Sequence, residues 1–155
     1  MRILIPLDGT PECEVSIPLA QQLAIGLDAE ICLLRVIEVP GGFSALRSGH
    51  DIARMMDDAA GYLSELTSRF ELPEDRTRRV VREALNAATE IITLAEIEGI
   101  DLIIMTSHCR NWLGRLTRGS ICSGVIRSRV CPVLCVPVPG AQVSCQRRGV
   151  LARRN

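Results

Sequence analysis

Residues Asp101 to Pro137 read DLIIMTSHCRNWLGRLTRGSICSGVIRSRVCPVLCVP. This stretch decides the fold, because it runs through strand, loop, helix and closing strand in one pass. Leu102, Ile103, Ile104 and Met105 form a short unbroken apolar run, the pattern of a strand buried on both faces of a parallel sheet. A polar loop bearing arginines follows. Gly119-Ser120 then sets a flexible residue and a hydroxyl before the apolar-periodic residues Ile121, Val125 and Ile126. Such a helix start leaves backbone N–H groups unpaired, and its dipole favours an anion. The apolar run Val133 to Val136 closes the unit as a last strand.

Working outward, the same alternation recurs along the chain. Arg2 to Leu7 (RILIPL) is a short apolar run broken by Asp8-Gly9-Thr10-Pro11, with Thr10 and Pro11 resembling an N-cap followed by proline at the first helical position. From Glu12 to Leu27 one helix is expected, with Ile17, Ala20, Ala24 and Leu27 on its apolar stripe beside Leu19 and Leu23. Glu30 to Val36 (EICLLRV) is a buried strand with one charge inside its apolar run, and it continues into Ile37-Glu38-Val39-Pro40. After a loop opened by Gly41-Gly42, Ile52, Met55, Met56, Ala59, Leu63, Leu66 and Phe70 recur at three-and-four spacing and predict a long helix to about Arg69. Arg76 to Glu83 is a strand charged as suits a sheet edge, and Ala87 to Ala95 is a helix ended by Gly99. Strands alternating with helices five times over imply an open α/β sandwich: a parallel sheet with helices on both faces.

The central stretch resembles the signature of the universal stress protein family, in which Gly-x-x-Gly, nine residues and Gly-Ser or Gly-Thr wrap the phosphates of ATP. Here the register reads Thr106-Ser107-His108-Cys109, then Arg110 to Arg118, then Gly119-Ser120, and the Cys-Pro-Val-Leu close also fits. The resemblance implies an adenine nucleotide α-hydrolase-like sheet of strand order 3-2-1-4-5. Ligands of doubly wound sheets bind beyond the carboxyl ends of strands where the winding reverses, which for that order lies between the first and fourth strands. By the same resemblance Pro6, Leu7 and Asp8 would lie at the adenine and ribose, with Val36 against the base. Met105, Thr106, His108, Cys109 and Arg110, with Gly119, Ser120 and Ile121, would surround the phosphates of ATP, and Mg²⁺ would accompany the triphosphate. The last strand would pair with its counterpart in a second copy, giving a homodimer.

Composition narrows the function classes. With 155 residues the chain suits one domain, expected over 1–138, with 139–155 as a poorly ordered basic tail. Hydrophobic residues at 47% and charged ones at 23% describe an ordinary globular protein, and no apolar run approaches the ~20 residues of a membrane span. The apolar start Met1 to Pro6 is too short for a signal peptide, so the expected location is cytoplasmic. Seven cysteines, an odd number scattered through apolar segments, argue against a secreted disulfide framework. Formal net charge is zero, yet after residue 100 Asp101 is the only acid, so the carboxyl-terminal part is basic. Every basic residue is an arginine. The absence of lysine excludes a Walker P-loop, Schiff-base chemistry and an amine nucleophile. His50 and His108 are the only histidines, and no Cys-x-x-Cys pair occurs, which argues against a metal site. Cys131 and Cys135, placed on one expected strand, would stand ~13 Å apart and could not bond within it. Cys109, beside arginines and near a helix start, invites a redox reading as well.

Several residues carry a plain structural reading beside the functional one. Asp8 suits a turn that bonds its own backbone, and Gly119-Ser120 suits a simple helix cap. Thr106 and Cys109 stand where the signature has glycines, and forcing Cys109 into a left-handed conformation would cost about 1–2 kcal/mol. Arg110 and Arg115 offer guanidinium forks to phosphate, whereas Arg118, Arg127 and Arg129 read as a solvated face. Two functions therefore stand side by side: a regulatory module holding ATP or a related adenine nucleotide, and a dimeric interaction protein that holds none. An enzyme is disfavoured, because Asp8-Gly9-Thr10-Pro11 lacks the Ser-Gly-Gly loop of the related hydrolases and only Asp8 and His108 could activate water. Nucleic-acid binding through the arginine-rich tail is the remaining alternative.

Overall fold

In a computed structural model of the chain, residues 1–39, 49–107 and 121–138 are described. The five expected strands all form: β1 (Arg2–Leu7), β2 (Glu30–Glu38), β3 (Thr77–Ala84), β4 (Leu102–Ser107) and β5 (Val133–Pro137). They alternate with helices α1 (Pro11–Glu14), α2 (Ser16–Leu27), α3 (Gly49–Arg69), α4 (Ala87–Glu98) and α5 (Ile121–Ser128). All strand pairs are parallel, and the sheet order is β3-β2-β1-β4-β5, as the family resemblance implies.

Strand alternation divides the apolar side chains between two layers. Ile3, Ile5, Leu7, Ile31, Leu33 and Ile104 join Cys13, Ile17, Ala20, Leu63 and Leu66 of α1 to α3 on one face. Leu4, Cys32, Leu34, Val36, Ile103 and Met105 join Ile91, Leu94 and Ala95 of α4 and Val125 of α5 on the other. Continuous apolar sequence is thus needed in the central strands, because both faces are covered. Met55 and Met56 of α3 pack on a smaller cluster of Ile37, Val39 and Ala59.

The edge strand β3 keeps Arg78, Arg79 and Arg82 at the surface, where they pair with Glu98, Glu74 and Glu90. Charges on an edge discourage pairing with another chain. Helix α4 is capped at both ends: the Asn86 side chain accepts from Thr89 N at 3.0 Å, and Gly99 takes a left-handed φ of 61°. Glu38 at the carboxyl end of β2 adds an acceptor for Ala87 N at 2.7 Å, a carboxylate at a helix start.

Three expectations need correction. The single helix over Glu12 to Leu27 is broken at Val15 into α1 and α2. Pro18 explains the break, since its ring cannot donate and would collide with the Glu14 carbonyl in an uninterrupted helix; Ser16 Oγ donates to Cys13 O at 2.7 Å across the junction. Leu27, placed on the buried stripe, is 49% exposed, because the chain leaves the helix at Asp28 with φ 50°. Cys131 does not share a strand with Cys135: β5 begins only at Val133, after Pro132. The tail 139–155 lies outside the described residues, and among those described no helix is long and apolar enough to cross a membrane.

Candidate functional site

The sheet opens where its winding reverses. β1 pairs with β2 along its whole length to Leu7↔Arg35, but with β4 only at Ile3↔Leu102 and Leu4↔Ile103. The cause can be read from the backbone. Met1 O accepts from Glu30 N on the β2 side, and Arg2 O accepts from Asp101 N on the β4 side. Backbone groups alternate along a strand, so Leu4 and Pro6 also face β4. Pro6 has no N–H to give, and the ladder to β4 ends before it. The carboxyl ends of β1 and β4 are thereby left without mutual pairing, beside β2 on one flank and β5 on the other.

Asp8 sits at the lip of this opening. Its Oδ1 accepts from Thr10 N at 2.9 Å and from Thr10 Oγ1 at 2.6 Å, so the carboxylate folds the loop that follows β1. Thr10 starts α1 without a side-chain bond to the helix, its hydroxyl being given to Asp8. Gly9 adopts φ +86°, and a β-carbon there would lie 3.4 Å from Arg35 Nη2. The guanidinium of Arg35 therefore lies over the loop backbone while Nη1 donates to Val36 O at 3.2 Å. Gly9→Ala is expected to cost about 1–2 kcal/mol, since it imposes a positive φ on a side chain and crowds Arg35. A urea unfolding midpoint unchanged from wild type would contradict this.

The loop is braced from behind. Cys13 Sγ donates to Thr10 O at 3.0 Å and lies 3.8 Å from Tyr62 Oη of α3. Tyr62 Oη donates to Glu14 Oε1 at 3.2 Å, and Glu14 also pairs with Arg69. Burial, then neighbouring Asp8, pushes the Cys13 thiol up, and burial with Cys13 and Glu14 nearby raises Tyr62. Both stay protonated at neutral pH and act as donors.

Of the residues singled out from sequence, Pro6, Asp8, Val36, Met105 and Thr106 all lie on the carboxyl edge of the three adjacent strands β2, β1 and β4. Val36 and Met105 are buried toward α4 and α5. Leu7 faces the opposite layer at 4% exposure, so only its backbone faces the edge. Thr106 is buried at 8% exposure, pairing with Val136. Ile121 opens α5 and is 37% exposed. His108, Cys109, Arg110, Gly119 and Ser120 lie outside the described residues. Sequence reasoning missed Arg35, although a lone charge inside the apolar run ICLLRV was its signal. Among the described residues no three His, Cys, Asp or Glu side chains form a metal-binding group.

Comparison with known proteins agrees with this architecture. A universal stress protein MJ0531 of Methanocaldococcus jannaschii is 29% identical over 142 residues, covering 89% of this chain and 82% of that protein. Among solved structures, the hypothetical protein MJ0577 superposes with a TM-score of 0.71 at 24% identity, over 90% of this chain and 96% of its own. A universal stress protein in complex with cAMP gives 0.62 at 19% identity, over 89% and 97%. The universal stress protein of Archaeoglobus fulgidus in complex with dAMP gives 0.60 at 17% identity, over 87% and 96%. The model of the universal stress protein family matches residues 1–137, which span the whole described sheet and its helices, and the chain belongs to that family.

Proposed function

We propose that the opening between β1 and β4 holds an adenine nucleotide, and that the chain is a cytoplasmic, homodimeric regulatory module of the stress response with little or no turnover. The observation that carries this reading is the β1–β4 ladder ending at Leu4↔Ile103, which leaves a gap at the topological switch point where such sheets bind ligands. Pro6 and Val36 offer apolar surface to a base, Asp8 an acceptor for a ribose hydroxyl or base amine, and Thr106, His108, Cys109, Arg110, Gly119, Ser120 and Ile121 the surroundings of the phosphates. Mg²⁺ would be held chiefly through the phosphate oxygens of ATP. Two relatives of the same fold are complexes with cAMP and dAMP, which supports an adenine ligand. Homodimer formation is assigned to β5, an edge strand that exposes Leu134 at 36%.

A second reading, an interaction protein without nucleotide, is favoured by Thr106 and Cys109 at the signature's glycine positions and by the use of Asp8 in its own turn. Thermal unfolding with ATP and Mg²⁺, cAMP or dAMP separates the two. A nucleotide at about a hundred times its Kd stabilises the fold by ~2.7 kcal/mol, which raises Tm by roughly 5–10 °C for a chain of this size. A Tm unmoved by millimolar nucleotide selects the interaction protein.

A further inference from the structure

Two cysteines distant in sequence meet on the α4–α5 face of the sheet. Cys122 lies in the first turn of α5 and Cys135 in the middle of β5, and their sulfurs are 3.4 Å apart. Neither is disulfide-bonded, and both are half-buried, within reach of a small oxidant. Cys135 shares its strand face with Val133, which packs in the same layer as Cys122. A closure of roughly 1.4 Å would bring the sulfurs to the ~2.05 Å of a disulfide.

We propose that Cys122 and Cys135 are a peroxide-responsive dithiol site, in which oxidation joins the start of α5 to the edge strand β5. The Cys135 thiolate attacks one oxygen of hydrogen peroxide, the O–O bond breaks, and sulfenic acid forms as hydroxide leaves and is protonated to water. The Cys122 sulfur then attacks the Cys135 sulfur, the S–O bond breaks, and the departing hydroxide takes the Cys122 proton. Two thiols and one peroxide give one disulfide and two waters. The electrostatics favour Cys135 as the attacking group: the hydrogen bond from Cys122 holds its thiol down to about 7, whereas burial pushes Cys32 up to about 11 and raises Cys13 and Cys131. This site stands independently of any nucleotide.

Peptide mapping tests it. The reduced full chain is treated with stoichiometric hydrogen peroxide, alkylated, and digested with trypsin without reductant. The expected product joins peptides 119–127 and 130–147 with the loss of two hydrogens, fragment ions placing the bond at Cys135 rather than Cys131 or Cys145, in a chain that runs as a monomer on a non-reducing gel. The link disappears in Cys135→Ser and persists in Cys131→Ser. The oxidation rate rises through about pH 7 as the Cys135 thiolate forms, and Cys122→Ala, which removes the donor, moves that midpoint upward. Closing a loop of this length is expected to raise Tm by roughly 5–10 °C. Unlinked peptides in the oxidised wild type, a bond at Cys131 or Cys145, or a bond only between two chains would overturn the assignment.

Discussion

Leu33→Ala is expected to destabilise the protein by about 3–5 kcal/mol, seen as a lower urea midpoint with an unchanged slope and a Tm lower by roughly 8–16 °C. Leu33 is fully buried in β2, between β1 and β3, in the layer that α1 to α3 cover. Its removal would leave a cavity that strands paired on both sides cannot easily close. Since a domain's whole stability is ~5–15 kcal/mol, this one truncation would consume a large fraction of it. Ile97→Ala provides the contrast: Ile97 lies on α4 but is 76% exposed, and its loss is expected to change stability by less than about 0.5 kcal/mol. Equal effects at the two positions would contradict the two-layer core.

Much of this layering was legible because the strands buried on both faces leave an unbroken apolar record; RILIPL coincides with β1 from Arg2 to Leu7. The carboxyl-terminal cap of α4 was legible too, since Gly99 is the residue best able to take the left-handed turn that ends it. The break at Val15 was written in Pro18, but the apolar stripe through Ile17, Ala20 and Ala24 suited one helix as well as two. Periodicity reports which face is buried and says little about continuity. The position of Cys131 was misread for a related reason: an apolar segment interrupted by Pro132 does not reveal where pairing starts. The contact between Cys122 and Cys135 could not be read from spacing at all, because it arises only when α5 folds back on β5. For the site, the switch point followed from strand order, whereas the end of the β1–β4 ladder depended on which neighbour Pro6 faces, a matter of register.

Asp8 carries the most discriminating prediction about the ligand. In the proposed complex its carboxylate accepts a hydrogen bond from the nucleotide, and such charge-assisted bonds contribute about 1.5–3 kcal/mol. Asp8→Ala is therefore expected to weaken adenine-nucleotide binding roughly 10- to 150-fold by calorimetric titration. The same substitution removes the acceptor for Thr10 N and Thr10 Oγ1 and would loosen the loop, so a loss of affinity alone would be ambiguous. Asp8→Asn separates the two effects. Asparagine supports the same turn through its amide oxygen, so the unfolding midpoint should stay within about 0.5 kcal/mol of wild type. It replaces one carboxylate oxygen by a donor and removes the charge, so affinity should still fall about tenfold. If Asp8→Asn binds nucleotide as wild type does while Asp8→Ala is both less stable and weaker, Asp8 acts only by shaping the loop. The recognition of base and ribose would then rest on Pro6, Val36 and backbone groups at the end of β1.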